Sequence, residues 1–66
     1  MKIILNGESF EASGPITVTR LLTQLNIDSR RVAVEHNLVV VKKAAYSLTV
    51  INENDDVEVV NFVGGG

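Results

Sequence analysis

Cysteine is absent from this chain, which removes disulfides, thiolate metal ligands and thiol nucleophiles together. Tryptophan is absent as well, and two Phe and one Tyr are the whole aromatic complement, so a core must be built from aliphatic side chains. Proline occurs once, at Pro15, leaving the backbone donors of regular structure almost intact. Basic residues are few and scattered: six Lys and Arg against eight Asp and Glu give a formal net charge of -2. Nucleic acid and anionic membrane surfaces demand clustered Lys or Arg, so no nucleic acid and no membrane is expected as a partner. No apolar run approaches the roughly 20 residues of a membrane span. The opening Met1-Lys2-Ile3-Ile4-Leu5 is too short for a secretory signal and lacks a cleavage-like site, and a cytoplasmic location is the expectation.

What is present is aliphatic and well patterned. The 66 residues leave room for one domain, and a chain of that size buries only about 60% of the surface that its unfolded form exposes. Lys2 to Leu5 reads as a strand, its unbroken Ile3-Ile4-Leu5 suggesting burial on both faces. Asn6-Gly7 is a strong hairpin signal, because a type I′ turn needs positive φ at both central residues. Ser9 to Ala12 returns, with Phe10 and Ala12 facing inward, and Ser13-Gly14-Pro15 breaks the strand. Val18, Leu21, Leu22 and Leu25 then fall at helical spacing and form one apolar stripe. Thr17 is placed to cap that helix, and Ile16 and Leu21 occupy the two positions of a hydrophobic staple. Asn26 suits the left-handed residue after the helix, with Ile27 reaching back to Leu22.

The second half reads as strands. Arg31 to His36 alternates, with Val32 and Val34 on one face. His36-Asn37 resembles a turn and leads into the β-branched Val39-Val40-Val41. Residues 42 to 49 are ambiguous, with a helical turn around Ala44-Ala45-Tyr46 as one reading. Asn52 to Asp56 forms a turn cluster, and Val57 to Val63 is the last strand. The helix must hide its stripe against one face of a mixed sheet, and the first and last strands are the candidates for its parallel centre. The fold expected is α+β: a β-grasp, or ubiquitin-like, domain over 1–63 with a glycine tail over 64–66.

Most residue types that carry chemistry are missing or isolated. His36 is the only histidine, so no transition-metal site is expected, and it reads as a turn-flanking surface residue. Glu53 to Asp56, with Glu58, lacks the ligand spacing of a calcium loop. Thr17, Thr19, Ser29 and Ser47 have no general base placed near them by the sequence.

The end of the chain is different. Gly64-Gly65-Gly66 has no side chains, and glycine loses the most backbone freedom on ordering, so a mobile thread is expected. Such a thread passes through a narrow channel and presents its carboxylate unhindered. A free carboxylate is a poor acyl electrophile; adenylation turns AMP into the leaving group and removes that obstacle. In the last strand Val57 and Val59 share one face, while Val60 and Phe62 point the other way with Glu58. An apolar pair beside such a tail reads as a docking surface. Gly66 is therefore the candidate covalent site, and Gly64, Gly65, Val60 and Phe62 are the candidate partner-binding residues.

Met1 to Glu8 at the start, the helix Val18 to Leu25, Ala33-Val34-Glu35-His36-Asn37, Tyr46, and Val57 to Gly66 at the end together resemble the sulfur carrier proteins of thiamin biosynthesis. The resemblance implies a non-enzymatic carrier that is the co-substrate of partner enzymes. An adenylyltransferase would spend ATP to activate the Gly66 carboxylate, no cofactor being bound by the carrier itself. Sulfur drawn from cysteine through a desulfurase persulfide would give a thiocarboxylate, and thiazole synthase would take that sulfur into the thiazole. The sequence departs from the family's pattern at three places. Leu38 stands where glycine often follows the middle-turn asparagine, so that turn is expected to differ. Lys42-Lys43 replaces a common Pro-Arg pair, and Asn54-Asp55 a common Gly-Asp. The alternatives are the small subunit of molybdopterin synthase, a ubiquitin-like protein modifier, and a passive binding module with an incidental tail.

Overall fold

A computed structural model of the chain describes residues 1–61. A five-stranded mixed sheet runs in the order β2-β1-β7-β4-β5, with β1 Lys2–Leu5, β2 Glu8–Glu11, β4 Val32–His36, β5 Val39–Val41 and β7 Asp56–Asn61. One helix, α1 at Val18–Gln24, accompanies it, and a second small sheet pairs β3 Ile16–Thr17 with β6 Val50–Ile51. β1 and β7 run parallel at the centre, Leu5 beside Val57, while the two flanking hairpins and the β4–β7 pair are antiparallel. This is the expected β-grasp arrangement.

The pleat explains which residues build the core. Ile3, Val32, Val34 and Val57 point to the α1 side and are buried with Val18, Leu21, Leu22, Tyr46 and Ile51. Leu5, Phe10, Leu25 and Val59 pack partly buried against them. Full burial of an aliphatic side chain is worth about 1.5–3 kcal/mol, so these few residues dominate stability. The two-sided burial expected of β1 is only partial. Ile3 is buried, but Ile4 faces the opposite side of the sheet and is half-buried, because among the described residues no helix covers that side.

The helix ends as its residues dictate. Thr17 Oγ1 accepts from the Arg20 N–H at 3.1 Å. At the other end Leu25 is the cap and Asn26 takes a φ of 59°. The Ile27 N–H then donates to the Leu22 carbonyl at 2.9 Å and the Asn26 N–H to Thr23 at 3.0 Å, the paired bonds of a Schellman motif. Two further helix donors are met from far along the chain: Val18 N–H by the Thr49 carbonyl, and Thr19 N–H by that of Tyr46. That is why the ambiguous stretch settles where it does, as a 3₁₀ turn at Lys43–Ala45 followed by β6. Tyr46 is buried beneath it, its hydroxyl donating to the Val32 carbonyl.

One expectation about the middle turn is corrected. The turn residues are Asn37 and Leu38, with His36 closing β4, and their φ values are 51° and 70°. The turn keeps the two left-handed residues of a type I′ hairpin although the second is leucine. An L-residue in that region costs about 1–2 kcal/mol, and the pairing of three residues on each side holds it there.

Candidate functional site

The site is built on β7, the middle strand of the sheet. Both hairpin turns beside it hold it in place through asparagine. Asn6 Oδ1 accepts from the Val59 N–H at 2.8 Å, supplying a partner at the point where β1 turns away. On the other flank Asn37 Oδ1 accepts from the Asp56 N–H at 2.9 Å, and the Asn37 N–H donates to the Asp56 carbonyl at 2.7 Å. The strand that leads into the tail is thus bonded on both sides by residues whose φ values of 51° make the turns themselves.

His36 belongs to the same clamp, and the reading of it as a plain surface residue is corrected. Its Nε2 lies 2.7 Å from Asp55 Oδ2, with both side chains about four-fifths buried. Asp55 Oδ2 also accepts from the Asn52 N–H at 2.8 Å. Burial pushes the Asp55 carboxyl up, but the bonds from the Asn52 backbone and the His36 ring outweigh it and hold it below the usual carboxylate range. The pair ties the end of β4 to the turn before β7. Asn54 in that turn has a φ of 69°, the left-handed conformation that asparagine tolerates. Among the described residues no group of three or more His, Cys, Asp or Glu is placed to hold a metal ion.

Of the five candidate site residues, the structure places Val60. It lies on the sheet face away from α1, opposite Ala33 on β4, and is 58% exposed. Val57 is buried and Val59 half-buried on the other face, the division expected from the alternation. Phe62, Gly64, Gly65 and Gly66 lie outside the described residues. The face around Val60 has a specific character. Glu58 and Glu35 are register partners across β7 and β4, and like charges directly opposite one another oppose sheet pairing. Val40 on β5 stands on the other side of Glu35 and is 65% exposed. The open face therefore presents two valines around a carboxylate pair, and among the described residues no helix covers it. The sequence reading identified Val60 and missed the contribution of β5. The available signal was a run of three β-branched residues with no charge among them, which reads equally well as a buried strand. Among the described residues no helix is long and apolar enough to cross a membrane.

Comparison with known proteins agrees with this architecture. The chain is similar to the thiamine biosynthesis protein ThiS of Geobacter metallireducens, whose crystal structure superposes with a TM-score of 0.88 at 33% identity, covering 100% of both chains. It is 47% identical over 66 residues to a thiazole synthase of Paramagnetospirillum magneticum, a match to 100% of this chain and 20% of that protein. It thus spans about one fifth of the length of that relative. The ycf40 protein of Pyropia yezoensis is 41% identical over 66 residues, covering 100% of this chain and 93% of its own length. Residues 3–66 match the model of the ThiS family, a span that takes in the Asn6 turn, the helix, the parallel central pair and the glycine tail, and the chain belongs to that family.

Proposed function

We propose that this chain is the sulfur carrier of thiamin biosynthesis and acts as a protein co-substrate, with Gly66 as its reacting residue. In this reading an adenylyltransferase binds the carrier, the Gly66 carboxylate attacks the α-phosphate of ATP, and pyrophosphate leaves. A persulfide supplied by a cysteine desulfurase displaces AMP from the acyl-adenylate. A thiol of the sulfur-donating partner then attacks the cysteine sulfur of the resulting acyl disulfide, becoming a disulfide with it and releasing the thiocarboxylate, which thiazole synthase consumes. The lack of cysteine favours the scheme, because the terminal carboxyl is the place where this chain gains covalent sulfur by acyl transfer. Sulfur is larger and more polarisable than oxygen, so the thiocarboxylate is a competent nucleophile at neutral pH.

The observation that carries the proposal is the family match over residues 3–66, which includes all three terminal glycines. The architecture supports it: β7, the last described strand, is clamped by Asn6 and Asn37 and carries Val60 on the open face, and in the sequence Phe62 and Val63 alone separate it from the three glycines. Intact-mass measurement of the protein from its native cell is the test. The expected product is the chain with one oxygen replaced by sulfur, lost when one residue is appended after Gly66. An appended chain that still supports normal ATP consumption by the adenylyltransferase, without being trimmed, would sink the proposal. Conjugation of Gly66 to lysine side chains would assign the chain to the protein modifiers instead.

A further inference from the structure

The two edges of the five-stranded sheet differ in kind. The β2 edge carries Glu8 and Glu11, both exposed, charges of the sort that deter a further strand. The β5 edge carries Val39, Val40 and Val41, of which Val39 is 66% and Val40 65% exposed. Its register fixes where its backbone points. His36 and Val39 flank a two-residue turn and form a hydrogen-bonded pair, so the next pair, Glu35 and Val40, does not bond across the ladder. The N–H and carbonyl of Val40 therefore face outward, and no bond from another described residue meets them. Beside the same edge lies a recess of about 330 Å³ lined by His36, Val39, Val41, Ala45 and Thr49. Lys42, at its end, is exposed.

The tip of this hairpin adds an independent observation. Leu38 is 82% exposed and holds a φ of 70°. An exposed leucine gains nothing from folding, and a left-handed leucine costs backbone energy that glycine would not. The hairpin pairing holds the leucine there at that cost, and residues kept in sparsely populated backbone regions cluster at ligand clamps and switch regions.

We propose that the β5 edge, from Leu38 to Val40, docks on thiazole synthase by accepting an extended strand of that enzyme. This rests on the reading that thiazole synthase takes sulfur from the chain. It adds which surface makes the contact and what kind of surface it needs: main-chain groups that pair with Val40, an apolar side chain for the recess, a pocket for Leu38, and a carboxylate near Lys42. Thiazole synthase is the partner because a thiazole synthase carries a version of this whole domain, 47% identical, as about a fifth of its own length. Strand addition at an exposed edge derives affinity from backbone bonds and selectivity from alternate side chains.

Two substitutions test the edge. Leu38→Gly removes the anchoring side chain while relaxing the turn. Val40→Pro removes the outward N–H at a position where an edge strand tolerates proline. The unmodified chain and both variants are titrated calorimetrically against thiazole synthase from the same organism, and each is unfolded in urea. Each variant is expected to bind roughly tenfold or more weakly, while Leu38→Gly unfolds at a urea concentration no lower than the unsubstituted chain. Undiminished affinity in both variants overturns the edge assignment, and if the native protein still carries its thiocarboxylate the carrier function stands. No binding by the unsubstituted chain, with no sulfur on Gly66, overturns both. A loss of the same size towards the adenylyltransferase overturns the choice of partner.

Discussion

Five described residues other than glycine hold a positive φ, and four of them are asparagine: Asn6, Asn26, Asn37 and Asn54. Each asparagine does a job that its side chain makes cheap, closing a turn or ending the helix. Leu38 is the exception, and its cost is measurable. Leu38→Gly is expected to stabilise the isolated chain by about 1 kcal/mol, read as a higher urea midpoint with an unchanged slope. A lower midpoint would mean that the leucine side chain supports the fold after all. Asp55 supplies a second residue-scale prediction. Its carboxyl is held below the ordinary 3.8, so the folded state binds fewer protons than the unfolded state in acid. That stability is present above the ordinary value and is lost as pH falls through the lower folded one. Asp28, held at about 2 by the side chain and then the backbone of Arg30, acts in the same direction. Asp55→Asn should therefore flatten, without abolishing, the fall in stability between neutral pH and pH values under 3.8. An unaltered acid limb would show that the His36–Asp55 contact contributes nothing to folding.

At the scale of elements, α1 depends on a short stripe. Leu21 and Leu22 are buried almost completely, and Leu22 also supplies the carbonyl that the Ile27 N–H reaches. Leu22→Ala should cost roughly 2–5 kcal/mol, a large share of what so small a domain possesses. A urea midpoint that shifts by less than about half a kcal/mol equivalent would place the helix face wrongly. This element was legible because local signals agreed: the stripe, the Thr17 cap, and Asn26 with Ile27 at the end. The first hairpin was legible for the same reason, since Asn6-Gly7 names its own turn. The small β3–β6 sheet was not. Ile16-Thr17 and Val50-Ile51 are too short to show a period, and their pairing depends on contacts more than thirty residues apart. Residues 42 to 49 were ambiguous for a related reason. Their place is set by carbonyls that meet helix donors, and sequence spacing carries no trace of such bonds. The middle turn was misjudged because leucine in a left-handed conformation is disfavoured locally, and the paired valines overrode that preference.

At the scale of the whole molecule, the sheet divides labour between its faces. One buries the stripe of α1; the other stays open and carries Val60, Val40 and the Glu35–Glu58 pair. Docking and folding therefore separate experimentally at Val60. Its side chain is 58% exposed, so Val60→Ser removes little packing. The cost to stability should stay within about 1 kcal/mol, most of it lost strand preference. If the open face positions the tail in the adenylyltransferase, the same substitution removes an apolar contact from the interface. Burying a valine side chain is worth about 1.5 kcal/mol, so affinity should fall roughly tenfold. The Gly66 carboxylate is untouched, so a saturating concentration of the enzyme should restore much of the adenylation rate. The Glu35–Glu58 pair sharpens the expectation. A cationic side chain from the partner would relieve the repulsion between them, so binding should weaken as salt rises, in Val60→Ser as in the unsubstituted chain. The measurement is a pair of titrations, urea unfolding for stability and enzyme binding at two salt concentrations. Val60→Ser with unchanged affinity would move the adenylyltransferase contact off this face and leave the β5 edge and the tail as the surfaces through which the chain is handled.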